Sequence, residues 1–238
     1  MRTYTETEPE NAMHSPNPGS KKLVVLGATG GTGLEIVRQA VDRGHSVMAF
    51  VRSPERLKPL RDRITVRQGD LLNAAELEAI IRDHDAVLSG FGPRAPKSKA
   101  DTNLLRRFAS ALTSAMPRAG VRRVVVESVA FLFKDSVIPP AYILGRLFFA
   151  DIVSDASEME RIFQESELDW TIVRPPRLTD KPYTGKYRVR EGHLPLFGFT
   201  ISRADVADFM IKTVKDHMFN RKIVGLCDSF SSAAYRTC

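Results

Sequence analysis

Lys21-Lys22-Leu23-Val24-Val25-Leu26-Gly27-Ala28-Thr29-Gly30-Gly31-Thr32-Gly33 is the stretch that decides the fold. Four apolar residues, 23–26, run into a glycine-rich turn, and an amphipathic pattern follows at once. This is the layout of a strand, a phosphate-cradling loop and a helix N-terminus. The spacing is Gly27-x-x-Gly30-x-x-Gly33. In this setting Gly27 allows a tight turn, Gly30 or Gly31 lets the backbone approach a pyrophosphate, and Gly33 lets the helix pack closely on the strand. The hydroxyls of Thr29 and Thr32 are candidate donors to phosphate. The ligand expected is a dinucleotide, and the rest of its site belongs at the carboxyl ends of the strands of an open α/β sheet.

Downstream, strands and helices alternate. Leu34, Val37 and Val41, with Ile36 and Ala40 beside them, give one apolar helix face, and Gly44 stops that helix. Strands are expected over 46–51, 64–66, 86–88, 123–126, 170–173 and 223–226. Asn73 with Glu76 resembles a capping pair before a short helix over 74–82. Leu104, Leu105, Phe108, Leu112 and Met116 mark a longer helix, ended by Pro117 and Gly120. A further helix runs through 157–164, and Ser202 with Asp205 starts another that carries Val206, Phe209, Met210 and Val214. The alternation implies a Rossmann-type, doubly wound parallel sheet with helices on both faces. One domain over 21–228 is expected, between tails at 1–20 and 229–238. The segment 175–200 has no clear period and reads as a substrate-side excursion, together with about 131–155.

Of the 238 residues 43% are hydrophobic, enough for a full core. No apolar run approaches the roughly 20 residues of a membrane-spanning helix, and residues 1–20 show neither a signal peptide nor a transit peptide. The two cysteines, Cys227 and Cys238, have no metal spacing and make no disulfide framework. No metal site is expected, and the chain reads as cytoplasmic. Its net charge of +7 raises the question of nucleic acid. The basic residues are dispersed (Arg61, Arg63, Arg67, Arg106, Arg107, Arg118, Arg122, Arg123) with no aromatic platform among them. They read as a solvated basic surface whose field suits an anionic cofactor. No nucleic-acid or membrane partner is expected, and the chain reads as a monomer or weak homodimer.

The end of the second strand selects the cofactor. A site for the unphosphorylated dinucleotide usually places Asp or Glu there, to accept from the ribose 2′-OH. This chain has Val51-Arg52-Ser53-Pro54-Glu55-Arg56. Arg52, with Ser53 and Arg56, suits a 2′-phosphate, so NADP(H) is expected. Asp70 and Leu71 follow the third strand, where an adenine would lie. Gly90-Phe91-Gly92 after the fourth strand offers a backbone that a cofactor can approach.

Together these residues resemble the atypical short-chain dehydrogenase/reductases, in particular the NmrA-like NAD(P)-binding proteins and the flavin reductase/biliverdin-IXβ reductase family. The resemblance extends over Ser128-Val129-Ala130-Phe131-Leu132, Val137-Ile138-Pro139-Pro140, residues 166–176, and Asp180-Lys181-Pro182-Tyr183-Thr184-Gly185. It implies that Ser128, Val129 and Ala130 line the nicotinamide side, that Pro175 and Pro176 close over the ring, and that Arg177 sits at the substrate mouth with Phe131. Ser128 resembles the family's hydroxyl near the nicotinamide, although that serine can equally match Val129.

Many short-chain reductases use Tyr-x-x-x-Lys, the Lys lowering the phenol pKa for proton donation. Here the similar spacing is Tyr142-Ile-Leu-Gly-Arg146, and the position of the Lys in the NmrA-like group is Ala156. Tyr142 and Ser128 are the catalytic candidates, and Tyr142 reads more readily as a packing aromatic. Hydride transfer to a flavin, quinone or similar flat conjugated acceptor needs no strong protein acid, because solvent supplies the proton. An NADPH-dependent reductase of such an acceptor is therefore the first expectation, with the apolar stretch 142–150, including Phe148, as a lid or core element. The alternative is an NmrA-like NADP(H) sensor without catalysis. A nucleotide-sugar isomerase ranks last, since it also relies on the missing pair.

Overall fold

Leu23, Val24, Val25 and Leu26 are all buried, because strand β1 (Lys22–Leu26) lies inside a sheet covered on both faces. Leu23 and Val25 point into one apolar cluster, and Val24 and Leu26 into the other. The computed structural model describes residues 19–92, 103–132 and 150–229. The expected residues Tyr142 and Phe148, and the tails except residues 19, 20 and 229, lie outside them, as does the side chain of Phe131.

Around β1 the chain lays down α1 (Gly31–Asp42), β2 (Ser46–Val51), β3 (Thr65–Gln68), α2 (Ala74–Ile81), β4 (Ala86–Ser89), α3 (Leu104–Arg118), β5 (Arg123–Glu127), α4 (Ala150–Glu165) and β6 (Asp169–Arg174). Then follow β7 (Arg177–Thr179), β8 (Tyr187–Glu191), β9 (Thr200–Ser202), α5 (Arg203–Lys215) and β10 (Lys222–Asp228). The main sheet has the order β3-β2-β1-β4-β5-β6-β10-β8. Neighbours pair in parallel from β3 to β10, and β8 closes the edge antiparallel to β10. This is a Rossmann-type α/β sheet. Strand order reverses between β1 and β4, which places the ligand crevice beyond their carboxyl ends.

Side chains of α1 and α5 fill the cluster on one face; those of α2, α3 and α4 fill the other. The capping expectation at α2 holds: Asn73 Oδ1 accepts from Ala75 N at 3.0 Å, and Asn73 Nδ2 donates to Glu76 Oε1 at 2.7 Å. Ser202 caps α5, its hydroxyl accepting from Asp205 N at 2.9 Å. Pro117 lies in the last turn of α3, and the left-handed Gly120 (φ 75°) follows it. The helix expected over 157–164 starts earlier, at Ala150.

The segment expected as an aperiodic excursion contains three short strands. β7 and β9 form a parallel two-stranded sheet, while β8 joins the main sheet. β7 and β9 are too short to show a period, and β8 alternates Tyr187 and Val189 with Arg188 and Arg190 over a run too brief to stand out.

Asn103 gives α3 no side-chain cap. Asp155 of α4 supplies one from outside, its carboxylate accepting from Leu105 N at 2.7 Å and from Arg106 N at 3.0 Å. Asp155 is buried, and its removal leaves the buried Leu105 N–H without its acceptor. Asp155→Ala is expected to lower stability by about 1.5–3 kcal/mol, the range for hydrogen bonds to a charged group. Urea unfolding measures this, and an unchanged midpoint refutes the cap.

Candidate functional site

The glycine turn is held by contacts that leave no room for side chains. Gly27 is left-handed (φ 73°), and a Cβ there would lie 2.7 Å from Phe91 N. Gly30 N donates to Gly27 O at 2.8 Å, and Gly30 caps α1 with no side-chain oxygen. A Cβ on Gly33 would overlap the Gly27 carbonyl, and one on Gly90 would lie 2.8 Å from Gly33 N. The end of β4 is therefore pressed against the start of α1. This fits a pyrophosphate laid on bare backbone at a helix N-terminus, with no carboxylate in the first turn of α1 to repel it.

Arg52 and Ser53 are exposed directly after β2. Arg56 stands in a 3-10 turn, Glu55–Arg63, anchored by the buried Leu57. Its Nη1 donates to Thr29 O at 2.6 Å, which ties the β2 end to the glycine turn. Gln68 Nε2 donates to Arg52 O at 2.9 Å. Arg52 and Arg56 thus both follow the end of β2, where a ribose would lie, with the Arg56 guanidinium held at the glycine turn. Asp70 supports its own loop: Oδ1 accepts from Leu72 N at 3.0 Å, while Asp70 N donates to Glu76 Oε2 at 3.0 Å. Leu71 is buried beside it. Phe91 packs on Phe108 at 4.8 Å between ring centroids.

After β5 come the residues that the resemblance assigns to the nicotinamide side. Ser128 N donates to Val173 O at 2.7 Å, and Ala130 N to Pro175 O at 3.2 Å, so the Ser128-Val129-Ala130 loop and the Pro175-Pro176 loop are laced together. The buried Ser128 hydroxyl donates to Glu160 Oε1 at 2.5 Å. Glu160, on α4, forms a two-point ion pair with Arg174, Nε at 3.0 Å and Nη2 at 2.5 Å. Ala156, one turn earlier on α4, is packed in the core. A cavity of about 450 Å3 opens beside this cluster, lined by Leu132, Val153, Ser157, Glu158 and Arg174 among others. Arg177 is exposed at the start of β7, and Pro176 is half-buried.

Glu127, the residue before Ser128, was not among the expected site residues. Its carboxyl lies near the Thr32 hydroxyl, which favours the charged form. Burial pushes its carboxyl up to about 7, against the lowering effect of that hydroxyl and of the nearby Arg203 charge. Arg203, at the start of α5, also went unremarked. It lies across the glycine turn, where a Cβ on Gly31 would come within 2.5 Å of its Cδ and Nε. Strand-end position marks Glu127, and adjacency to a capping serine marks Arg203. Glu160 carried a weaker signal, one turn beyond Ala156 on the same helix face.

This glycine cradle agrees with comparison to known proteins. A family model described as NAD(P)H-binding matches residues 27–217, and the chain belongs to that family. It is 28% identical over 233 residues to an uncharacterised chloroplastic protein of Arabidopsis thaliana, covering 94% of this chain and 82% of that one. It is 31% identical over 198 residues to a 3-diazoavenalumate denitrifying reductase of a Streptomyces species, covering 74% of this chain and 64% of the relative. Among solved structures, an anaerobilin reductase of Escherichia coli O157:H7 superposes with a TM-score of 0.70 at 23% identity, covering 89% of this chain and 98% of that one. The family model thereby supports a nicotinamide cofactor for this chain, and the solved structure shares its Rossmann-type fold.

The position of Glu127 makes stability depend on pH. Its carboxyl titrates near 4.5 when unfolded and about 7 when folded. Between these values the folded state binds more protons, so stability falls as pH rises across that window and levels off above it. Glu127→Gln keeps the Thr32 contact and removes the titration. Its unfolding free energy, from urea titration, is expected to gain on wild type between pH 5 and pH 8 by up to about 3 kcal/mol. An equal gap at both pH values refutes the raised carboxyl.

Proposed function

We propose that this protein is an NADPH-dependent reductase that passes hydride to a flavin, quinone or similar flat conjugated acceptor. The observation that carries the cofactor half is the pair Arg52 and Arg56 beside the glycine turn, Arg56 already hydrogen-bonded to Thr29 O. A carboxylate at the end of β2 would repel a 2′-phosphate; a guanidinium binds it on two points.

Bound reduced nicotinamide supplies the hydride, and the chain's residues hold and orient the reactants. The Ser128–Ala130 backbone is fixed to β6 and the Pro175 carbonyl, giving the ring a rigid wall. The Ser128 proton is committed to Glu160, so this hydroxyl positions rather than protonates. That favours an acceptor whose reduced form takes its proton from water. The cavity beside Arg174 is large enough for one flat ring system. The reductase names of the Streptomyces relative and the Escherichia coli neighbour agree with reductive chemistry.

Two measurements test the reading. Arg52→Ala is expected to weaken NADPH binding by about 1.5–3 kcal/mol and to leave NADH nearly unchanged; equal losses would refute the 2′-phosphate assignment. NADPH absorbance is expected to fall when FMN, FAD, menadione or dichlorophenolindophenol is added. Tight NADP(H) binding with no turnover on any of the four sinks the reductase and favours a dinucleotide sensor.

A further inference from the structure

Two helices begin at the same end of the sheet, α1 at Gly31 and α5 at Arg203. Each presents the positive end of its dipole there. Arg203 adds a full positive charge to that place, its side chain stretched across Gly31. A cation at two helix N-termini is electrostatically out of place unless an anion joins it. The carboxylates near it do not settle the imbalance. Glu127 is engaged with Thr32 and keeps its proton up to about 7. Asp205, in the first turn of α5, aims its carboxylate at the Ser202 hydroxyl and at Thr184 and Gly185, and among the described residues the structure shows no ion pair between it and Arg203. That leaves Asp180, which Arg203 Nη1 reaches at 2.6 Å and which is 88% exposed. An exposed ion pair of this kind is worth about 0–1 kcal/mol, so it yields readily to a stronger anion.

We infer that Arg203 is a ligand of the dinucleotide's pyrophosphate, and that Asp180 holds the guanidinium in place until the pyrophosphate displaces it. This rests on the dinucleotide site and adds to it a second-helix contact. The turn supplies backbone N–H groups on one side of the phosphates, and Arg203 closes the other side with a two-point charge-assisted contact. Gly31 is then glycine for a reason that bare backbone access does not cover: any side chain there would push Arg203 off the turn. The exchange also links cofactor to excursion. Asp180 begins the run Asp180-Lys181-Pro182-Tyr183-Thr184-Gly185, whose far end is fixed by Asp205 through Thr184 N and Gly185 N at 3.0 and 2.8 Å. Losing Arg203 frees the near end of that run while the far end stays anchored.

The experiment compares dissociation constants of the full chain for NADPH and NADH at fixed ionic strength, for wild type, R203Q, R203K and D180N. R203Q is expected to weaken both dinucleotides by the same factor, roughly tenfold to a hundredfold, with R203K between. D180N is expected to tighten both by up to about fivefold, since it removes a competitor. Inorganic pyrophosphate is expected to displace NADH from wild type at lower concentration than from R203Q. The opposite signs of R203Q and D180N are decisive. If both weaken binding alike, Arg203 is a brace of the loop and the inference fails. If R203Q weakens NADPH alone, Arg203 serves the 2′-phosphate and the inference again fails. Asp180 is at the surface, so the sign of D180N decides even if R203Q does not fold. Wild type that binds neither dinucleotide overturns the site reading itself, an outcome distinct from any pattern among the variants.

Discussion

Everything at the carboxyl edge of the sheet depends on one steric constraint, the contact of three glycines. Gly33 sits against the Gly27 carbonyl, and Gly90 sits against Gly33 N. Adding a Cβ at any of the three would drive α1, β1 and β4 apart. Since β1 and β4 are the strands between which the sheet reverses its order, the same contact sets the width of the crevice. It also aims α1 with its first N–H groups uncovered, because a glycine N-cap brings no side-chain oxygen to them. The bare turn is a packing solution and a phosphate site at once.

A second layer of control comes from α5, which acts through buried carboxylates. Asp205 fixes the Thr184-Gly185 turn. Asp208 accepts from Arg43 at the end of α1 at 2.5 Å, from Tyr187 of β8 at 2.7 Å and from Lys212 at 2.8 Å. The Asp208 partnership raises the Tyr187 phenol far above its ordinary range, after burial as the first cause. Breaking one partner of such a cluster strands the others in a poorly solvated place. The helix is thereby held to α1 and to the edge strand on its flank, and the position of Arg203 over the glycine turn follows from that attachment.

The Rossmann sheet was legible because its signals are local. The apolar run 23–26, the turn glycines and the Asn73 and Ser202 caps each act within a few residues, and the structure places them as read. The short strands β7, β8 and β9 were not legible, because runs this brief carry too little periodicity to stand out and are fixed by their pairing, β8 with β10 and β7 with β9. The site divides the same way. Arg52 and Arg56 could be placed from the strand end that precedes them. Glu127, Glu160 and Arg203 carried only a positional signal, since what each does depends on a partner distant in sequence: Glu127 lies near Thr32, Glu160 meets Ser128 and Arg174, and Arg203 meets Gly31 and Asp180.

Glu127 and Ser128 are adjacent, yet they belong to different halves of the site, and strand geometry explains the split. Successive side chains at a strand end point to opposite faces. Glu127 meets Thr32 of α1 and feels Arg203 of α5, helices that cover one face. Ser128 bonds to Glu160 of α4, which covers the other. One dipeptide thus turns an acid that keeps its proton to about pH 7 toward α1 and α5, and a hydroxyl already bound to a carboxylate toward α4. In the proposed reaction Ser128 would stand beside the hydride path with its proton committed to Glu160, an arrangement that favours the proposed acceptor, one that draws its proton from water, over a carbonyl protonated through Ser128.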